Sequence, residues 1–151
     1  MKYIGFIAVL ILMNLIPVSS YAGQTPKSVS AIDFGAKADG ISDDTASIQN
    51  ALDSVGSNGV VSLPAGSYLI SKSINVPHGV TLIGDSPRWE NGATRLVVKE
   101  QGFSAVILNH GSAVKGMMIS YPENQDNLNP KPYPPSISLE GINPAVENIV
   151  F

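Results

Sequence analysis

Three groups of side chains in this sequence are of types that do chemistry. Asp39, Asp43 and Asp44 lie close together near the start of the chain. Paired carboxylates can act as general acid and base, and two of them flanking a glycosidic bond can cleave it. A second group sits on two loop-like stretches. One is Asp85-Ser86-Pro87-Arg88-Trp89-Glu90-Asn91-Gly92, and the other is residues 121–135, with proline at 122, 130, 132, 134 and 135. Trp89, Tyr121 and Tyr133 offer flat faces on which sugar rings stack. Arg88 can pair with a carboxylate, and Glu123 completes the candidate binding set. The competing reading makes these solvated loops whose aromatics pack on the protein wall. The third group is His78 and His110, which are 32 residues apart. Zinc commonly takes three or four protein ligands, so two histidines without a nearby carboxylate read as turn residues. Calcium needs clustered oxygens, and no loop groups more than two acids. No metal or cofactor is expected.

The elements that must position these groups are set by pattern. Ile48, Leu52 and Val55 fall at i, i+4 and i+7, one apolar helical stripe. Ser42 or Asp43 can cap that helix, with Asp44 in its first turn against the positive end of the dipole and Gly56 ending it. After Gly59 short β-branched runs succeed one another: Val60-Val61-Ser62-Leu63, Tyr68-Leu69-Ile70, Ile74-Asn75-Val76, Val80-Thr81-Leu82-Ile83, Arg95-Leu96-Val97-Val98, Val106-Ile107-Leu108, Met117-Met118-Ile119, Ile137-Ser138-Leu139 and Ile149-Val150-Phe151. Beyond residue 22, Ile and Val together outnumber Leu by 23 to 8, which favours strands. Residues 24–30 read as a loose polar lead-in, and Asp39-Gly40 as a turn.

A repeat specifies the architecture. Ile107 and Leu139, Val114 and Val146, Met117 and Ile149, and Ile119 and Phe151 are each separated by 32 residues, while Val80 stands 34 before Val114. Such a period signals a solenoid whose coils bury their apolar faces only by stacking. Coils of short strands without helices make it a parallel β-helix. The two candidate sugar loops then leave equivalent places in the repeat. Asn148 either bonds along the stack through its amide or sits in a solvated turn.

Composition narrows the function classes. The 151 residues carry a formal net charge of −3, so no basic surface awaits nucleic acid. With no cysteine, disulfides, thiolate zinc sites and cysteine nucleophiles are excluded. A hydrophobic share of 44% with 14% charged residues argues against disorder. Lys2, the apolar run over residues 4–16, and Ser20-Tyr21-Ala22 read as a signal peptide over residues 1–22. The apolar run is too short to span a bilayer, which leaves the mature chain from residue 23 secreted or periplasmic and free of the membrane.

The segment Asp33-Phe34-Gly35-Ala36-Lys37-Ala38-Asp39-Gly40, with Asp43-Asp44-Thr45 and Ile48-Gln49-Asn50-Ala51-Leu52 after it, resembles the N-terminal signature of the pectate-lyase-like superfamily. The branch is that of rhamnogalacturonases, polygalacturonases and epimerase-like proteins. Leu63-Pro64-Ala65-Gly66-Ser67-Tyr68-Leu69-Ile70 and Val80-Thr81-Leu82-Ile83-Gly84-Asp85 are similar to its next two elements. The resemblance implies a right-handed single-stranded parallel β-helix whose first coil is covered by the helix over residues 43–55. It also implies a polysaccharide partner, with pectin-type polyuronate first, and glycoside hydrolase or polysaccharide lyase chemistry. On this reading Asp39, Asp43 and Asp44 shape and cap a helix instead of cutting a sugar.

The catalytic acids of polygalacturonase-like relatives lie on middle coils, and no matching Asp-Asp pair occurs after Asp53. Catalytic residues are therefore left unassigned. The chain reaches Phe151 inside an apolar strand without a polar cap, so residues 23–151 are expected to be the N-terminal part of a longer domain. The alternative function is a non-catalytic, carbohydrate-binding or adhesive β-helix.

Overall fold

A computed structural model of the chain describes residues 25–88, 92–121 and 133–151. In order, these form β1 (Ser28–Ser30), a 3-10 turn (Ala31–Phe34), β2 (Asp39–Asp43), α1 (Thr45–Val55), β3 (Val60–Leu63), β4 (Gly66–Ile70), β5 (Ile74–Val76), β6 (Thr81–Gly84), β7 (Thr94–Val98), β8 (Val106–Leu108), β9 (Ala113–Ser120), β10 (Ile137–Leu139) and β11 (Ala145–Val150). The strand pairings are parallel. One sheet runs β1-β3-β6-β9-β7-β4-β2 with β11 also on β9, and a second runs β10-β8-β5. Each coil visits the same three walls in turn, so neighbours in space lie one coil apart in sequence. This is a parallel β-helix.

Alternation along the strands, broken in β9 at the Gly116 bend, sends one set of side chains inward. Val61 and Leu63 of β3, Tyr68 and Ile70 of β4, Leu82 of β6, Leu96 and Val98 of β7, and Val114, Met117 and Ile119 of β9 form a single core. The spacing of 32 holds where β9 meets β11, with Val114 beside Val146 and Met117 beside Ile149. It fails by one on the second sheet, where Ile107 faces Ser138 and Leu139 faces Leu108. Val80 is likewise not the partner of Val114; Leu82 is. Turns between coils absorb a residue without disturbing the walls, so one period cannot describe every wall.

The lead-in is not loose. Ser28, Val29 and Ser30 pair in register with Val60, Val61 and Ser62. Polar composition hides this strand, whose order comes from the ladder and from Val29 packing on the core. Asp39-Gly40 likewise opens β2, which pairs irregularly with β4.

The inner face of α1 buries Ile48, Ala51, Leu52 and Val55. It lies over the end of the stack, and Gln49 completes the closure. The Asn75 backbone N–H donates to Gln49 Oε1 at 3.0 Å, and Gln49 Nε2 donates back to the Asn75 carbonyl at 3.0 Å. One side-chain amide thus stands in for a missing strand at the β5 edge, which would otherwise be open to other chains. The helix start differs from the sequence reading. Asp44, not Ser42 or Asp43, holds the N-cap position, and its side chain makes no capping bond. Asp43 Oδ1 instead accepts from the Thr45 N–H at 3.0 Å.

At the bend between the first two walls, Gly84, Gly116 and Asn148 come directly after the aligned residues Ile83, Lys115 and Glu147. Gly116 and Asn148 are left-handed there, at φ +67° and +52°. Asn148 is exposed and makes no side-chain hydrogen bond among the described residues, so the turn reading holds. The amide bonded along the stack is Asn109, which donates to Asn75 Oδ1 and to the Val76 carbonyl.

At the far end of the stack, apolar side chains on and beside β10 and β11 stand open. Leu139 is 59% exposed, Val146 43% and Phe151 70%.

Candidate functional site

The strands β2, β4, β7 and β9 run side by side, with Asp43, Leu69, Val97 and Ser120 at corresponding positions. The chain leaves all four strands at one corner of the stack: through Thr45 of α1, through Ser71 to Ser73, through Lys99 to Gln101, and through Tyr121. Tyr133 folds back onto the same corner. Its ring meets that of Tyr121 edge-on at a centroid separation of 5.2 Å, and Gln101 Nε2 donates to its hydroxyl at 2.9 Å. Tyr121 is half-buried against the core, whereas Tyr133 keeps a face open to solvent at 37% exposure. Of the two tyrosines, Tyr133 is the more accessible.

Arg88 stands elsewhere. It follows β6 at the glycine bend ahead of β7, whereas Tyr121 leaves the wall at the opposite end of β7. Because Gly84 corresponds to Gly116 and Val97 to Ser120, the two loops do not leave equivalent places in the repeat. Two corners are involved, one strand length apart. Trp89 and Glu123 lie outside the described residues.

The three early aspartates have structural work. Asp39 accepts from the N–H groups of Ile41 and Ser42 and from the Ser42 hydroxyl. Those bonds, with the Ser42 N–H contributing most, hold its carboxyl below the usual aspartate range. Asp44 is only 1% exposed and accepts from the N–H groups of Lys37 and Ala38 at 2.7 and 3.0 Å. Asp43 accepts from Thr45 through Oδ1 and from the Ser71 hydroxyl through Oδ2. Partial burial would raise its pKa, but the Ser71 and Thr45 hydrogen bonds and the charge of Lys99 outweigh that and lower it. Of the three only Asp43 lines the neighbouring depression, so they do not flank a common cleft as a carboxylate-pair mechanism would require.

A folded-state pKa below the unfolded value stabilises the fold above the latter and ceases to do so as pH falls through the former. Asp43→Asn is therefore expected to flatten the drop in melting temperature below about pH 4. Parallel acid limbs in the two proteins would refute the assignment.

Beside Asp43 a depression of about 620 Å³ opens, lined by Thr45, Ala46, Gln49, Asn50, Ser71, Lys72 and Ser73. Sequence motifs do not reveal it, because its residues come from α1 and from the β4–β5 turn. The signal that finds it is register: Ser71 and Lys99 come just after paired positions of β4 and β7.

His78 and His110 stack at 5.1 Å with rings 17° apart, as turn residues of adjacent coils. No group of three or more His, Asp or Glu side chains is arranged to hold a metal among the described residues. Nor is any helix among them long and apolar enough to cross a membrane.

Comparison with known proteins agrees with this architecture. A Geobacillus virus E2 protein, ORF18, superposes with a TM-score of 0.58 at 19% identity, covering 81% of this chain and 25% of that one. The A-module of the Azotobacter vinelandii mannuronan C-5 epimerase AlgE4 superposes with a TM-score of 0.52 at 26% identity, covering 78% of this chain and 33% of that one. The chain thus spans a quarter to a third of the length of these structures. No curated protein matches it. The model of the family described as rhamnogalacturonase A/epimerase, pectate lyase-like, matches residues 28–126. With the helix-roofed parallel coils, that match shows that the chain belongs to this pectate lyase-like family.

Proposed function

We propose that the chain is the N-terminal part of an exported enzyme that acts on an acidic polysaccharide, with pectin-type polyuronate as the substrate class. The family match over residues 28–126 carries this reading, since it places the coils in a polysaccharide-acting superfamily. Similarity to a mannuronan epimerase module supports a uronate polymer over a neutral one. The exposed apolar face at β10 and β11 supports further coils stacking there, and on those coils the catalytic carboxylates are expected. Export rests on the leader over residues 1–22, which lies outside the described residues. Within this chain Tyr121 and Tyr133 are the substrate-stacking pair. Arg88 on the neighbouring corner, and Trp89 and Glu123, which lie outside the described residues, are the remaining candidate contacts.

The test is product analysis on polygalacturonate with the longest expressed form of the protein. New reducing ends without an ultraviolet-absorbing product mean hydrolysis, and an unsaturated product means β-elimination. A changed sugar configuration without cleavage means epimerisation. Any of the three supports the reading. Retained sugar binding with no product overturns it in favour of an adhesive β-helix.

A further inference from the structure

We propose that the depression beside the helical cap is a second saccharide site, which takes a uronosyl residue of the same polymer. The proposal rests on the polyuronate reading above.

The lining carries unused hydrogen-bonding capacity. The side chains of Asn50, Lys72 and Ser73 make no hydrogen bond or ion pair with any described residue, although all three line the depression. Gln49 is spent on the β5 edge and on Asp53. Asp43 Oδ2 carries only the Ser71 hydroxyl, which leaves it a lone pair. A cation, an amide, a hydroxyl and a carboxylate oxygen are thus presented together. Ala46 and Thr45 also line the depression and bring methyl groups to it. A uronosyl ring matches this set: its carboxylate pairs with the Lys72 ammonium, its hydroxyls reach Asn50, Ser73 and Asp43, and its C–H face rests on the methyls. A neutral hexose leaves Lys72 without a partner, and a bare inorganic anion leaves the amide and hydroxyl unused.

Position supports a polymer over a monosaccharide. The depression and the tyrosine pair lie on one corner, separated by successive coils. Adjacent strands stand roughly 4.8 Å apart, so the step from the β4 turn to the β9 end spans about 10 Å. One chain can engage both, and the second contact then adds as an intramolecular event.

The experiment is titration of the full 151-residue chain with oligogalacturonates, read by isothermal calorimetry and by amide shifts. The probes are tri- and hexagalacturonate, the carboxyl-reduced hexamer and inorganic phosphate. Lys72→Met is expected to weaken binding of the hexagalacturonate at least tenfold while leaving the fold intact, since Lys72 is exposed. Binding to the carboxyl-reduced hexamer is expected to change little between the parent and this variant, and phosphate is not expected to displace the acidic oligomer. Equal binding of hexagalacturonate by parent and Lys72→Met overturns the proposal, as does displacement by phosphate. If Tyr133→Ala weakens binding and Lys72→Met does not, the polyuronate reading stands and the cap site falls. No binding of any oligomer to the parent also removes the cap site, while product analysis on the longest form still decides the polyuronate reading.

Discussion

Asp44→Ala is expected to cost roughly 2–5 kcal/mol of unfolding free energy, because it removes a carboxylate that is only 1% exposed and orphans two backbone donors at once. The carboxylate looks like a helix cap in sequence, yet it turns away from α1 and receives the N–H groups of Lys37 and Ala38. Its own N–H donates to the Leu69 carbonyl at 2.8 Å, so Asp44 ties the turn before β2, the start of α1 and the end of β4 into one knot. A net loss of that size is a large share of what holds a domain together. Asp44→Asn keeps one good acceptor and is expected to fall between parent and alanine. Urea titration followed by circular dichroism measures both. If alanine costs less than about 1 kcal/mol, the loss expected of an ordinary exposed cap, the knot is not what holds the cap region.

Gly116→Ala is expected to cost a similar amount for a different reason. At φ +67° an alanine pays the left-handed penalty, about 1–2 kcal/mol. A Cβ there would also stand 2.7 Å from the Gly84 carbonyl oxygen, and a backbone atom inside the stack cannot move aside cheaply. Overpacking of this kind adds roughly 1–3 kcal/mol. Asparagine separates the two costs, since it tolerates the left-handed region but has the same Cβ. Gly116→Asn is expected to recover at most about 1 kcal/mol relative to alanine. Full recovery would mean that conformation alone matters and that the close approach of Gly84 and Gly116 does not. Asn148, one coil on, occupies the same bend at φ +52°, so glycine is demanded by the neighbour as well as by the turn.

Sequence alone determined the kind of object this is. Tyr68 and Ile70, and Leu96 and Val98, stand two apart in short apolar runs, and alternation in a strand decides which face is buried. The stripe at Ile48, Leu52 and Val55 marked a single helix, and the family resemblance gave that helix the role of a cap. The same local rules could not see β1, because Ser28, Val29 and Ser30 have no strand character until β3 supplies partners. They placed Asp44 in the helix's first turn, because capping preference is a property of neighbours in sequence and the Lys37–Ala38 turn is a neighbour in space.

The tertiary structure decided which chemistry-bearing side chains meet. Arg88 and Tyr133 looked like members of one face when a single period was applied to both loops. The ladder pairs Ile83 with Lys115 but Val97 with Ser120, which sends the loops to different corners. Asn50 belongs to the helix signature and Lys72 to no motif, and the two come together only because a helix roofs the coil that contains the β4–β5 turn. A parallel ladder fixes register through hydrogen bonds made one coil apart, and turn lengths between coils vary. Burial is therefore legible from composition and alternation, whereas the company a surface side chain keeps depends on sums over turns that only the folded chain carries out.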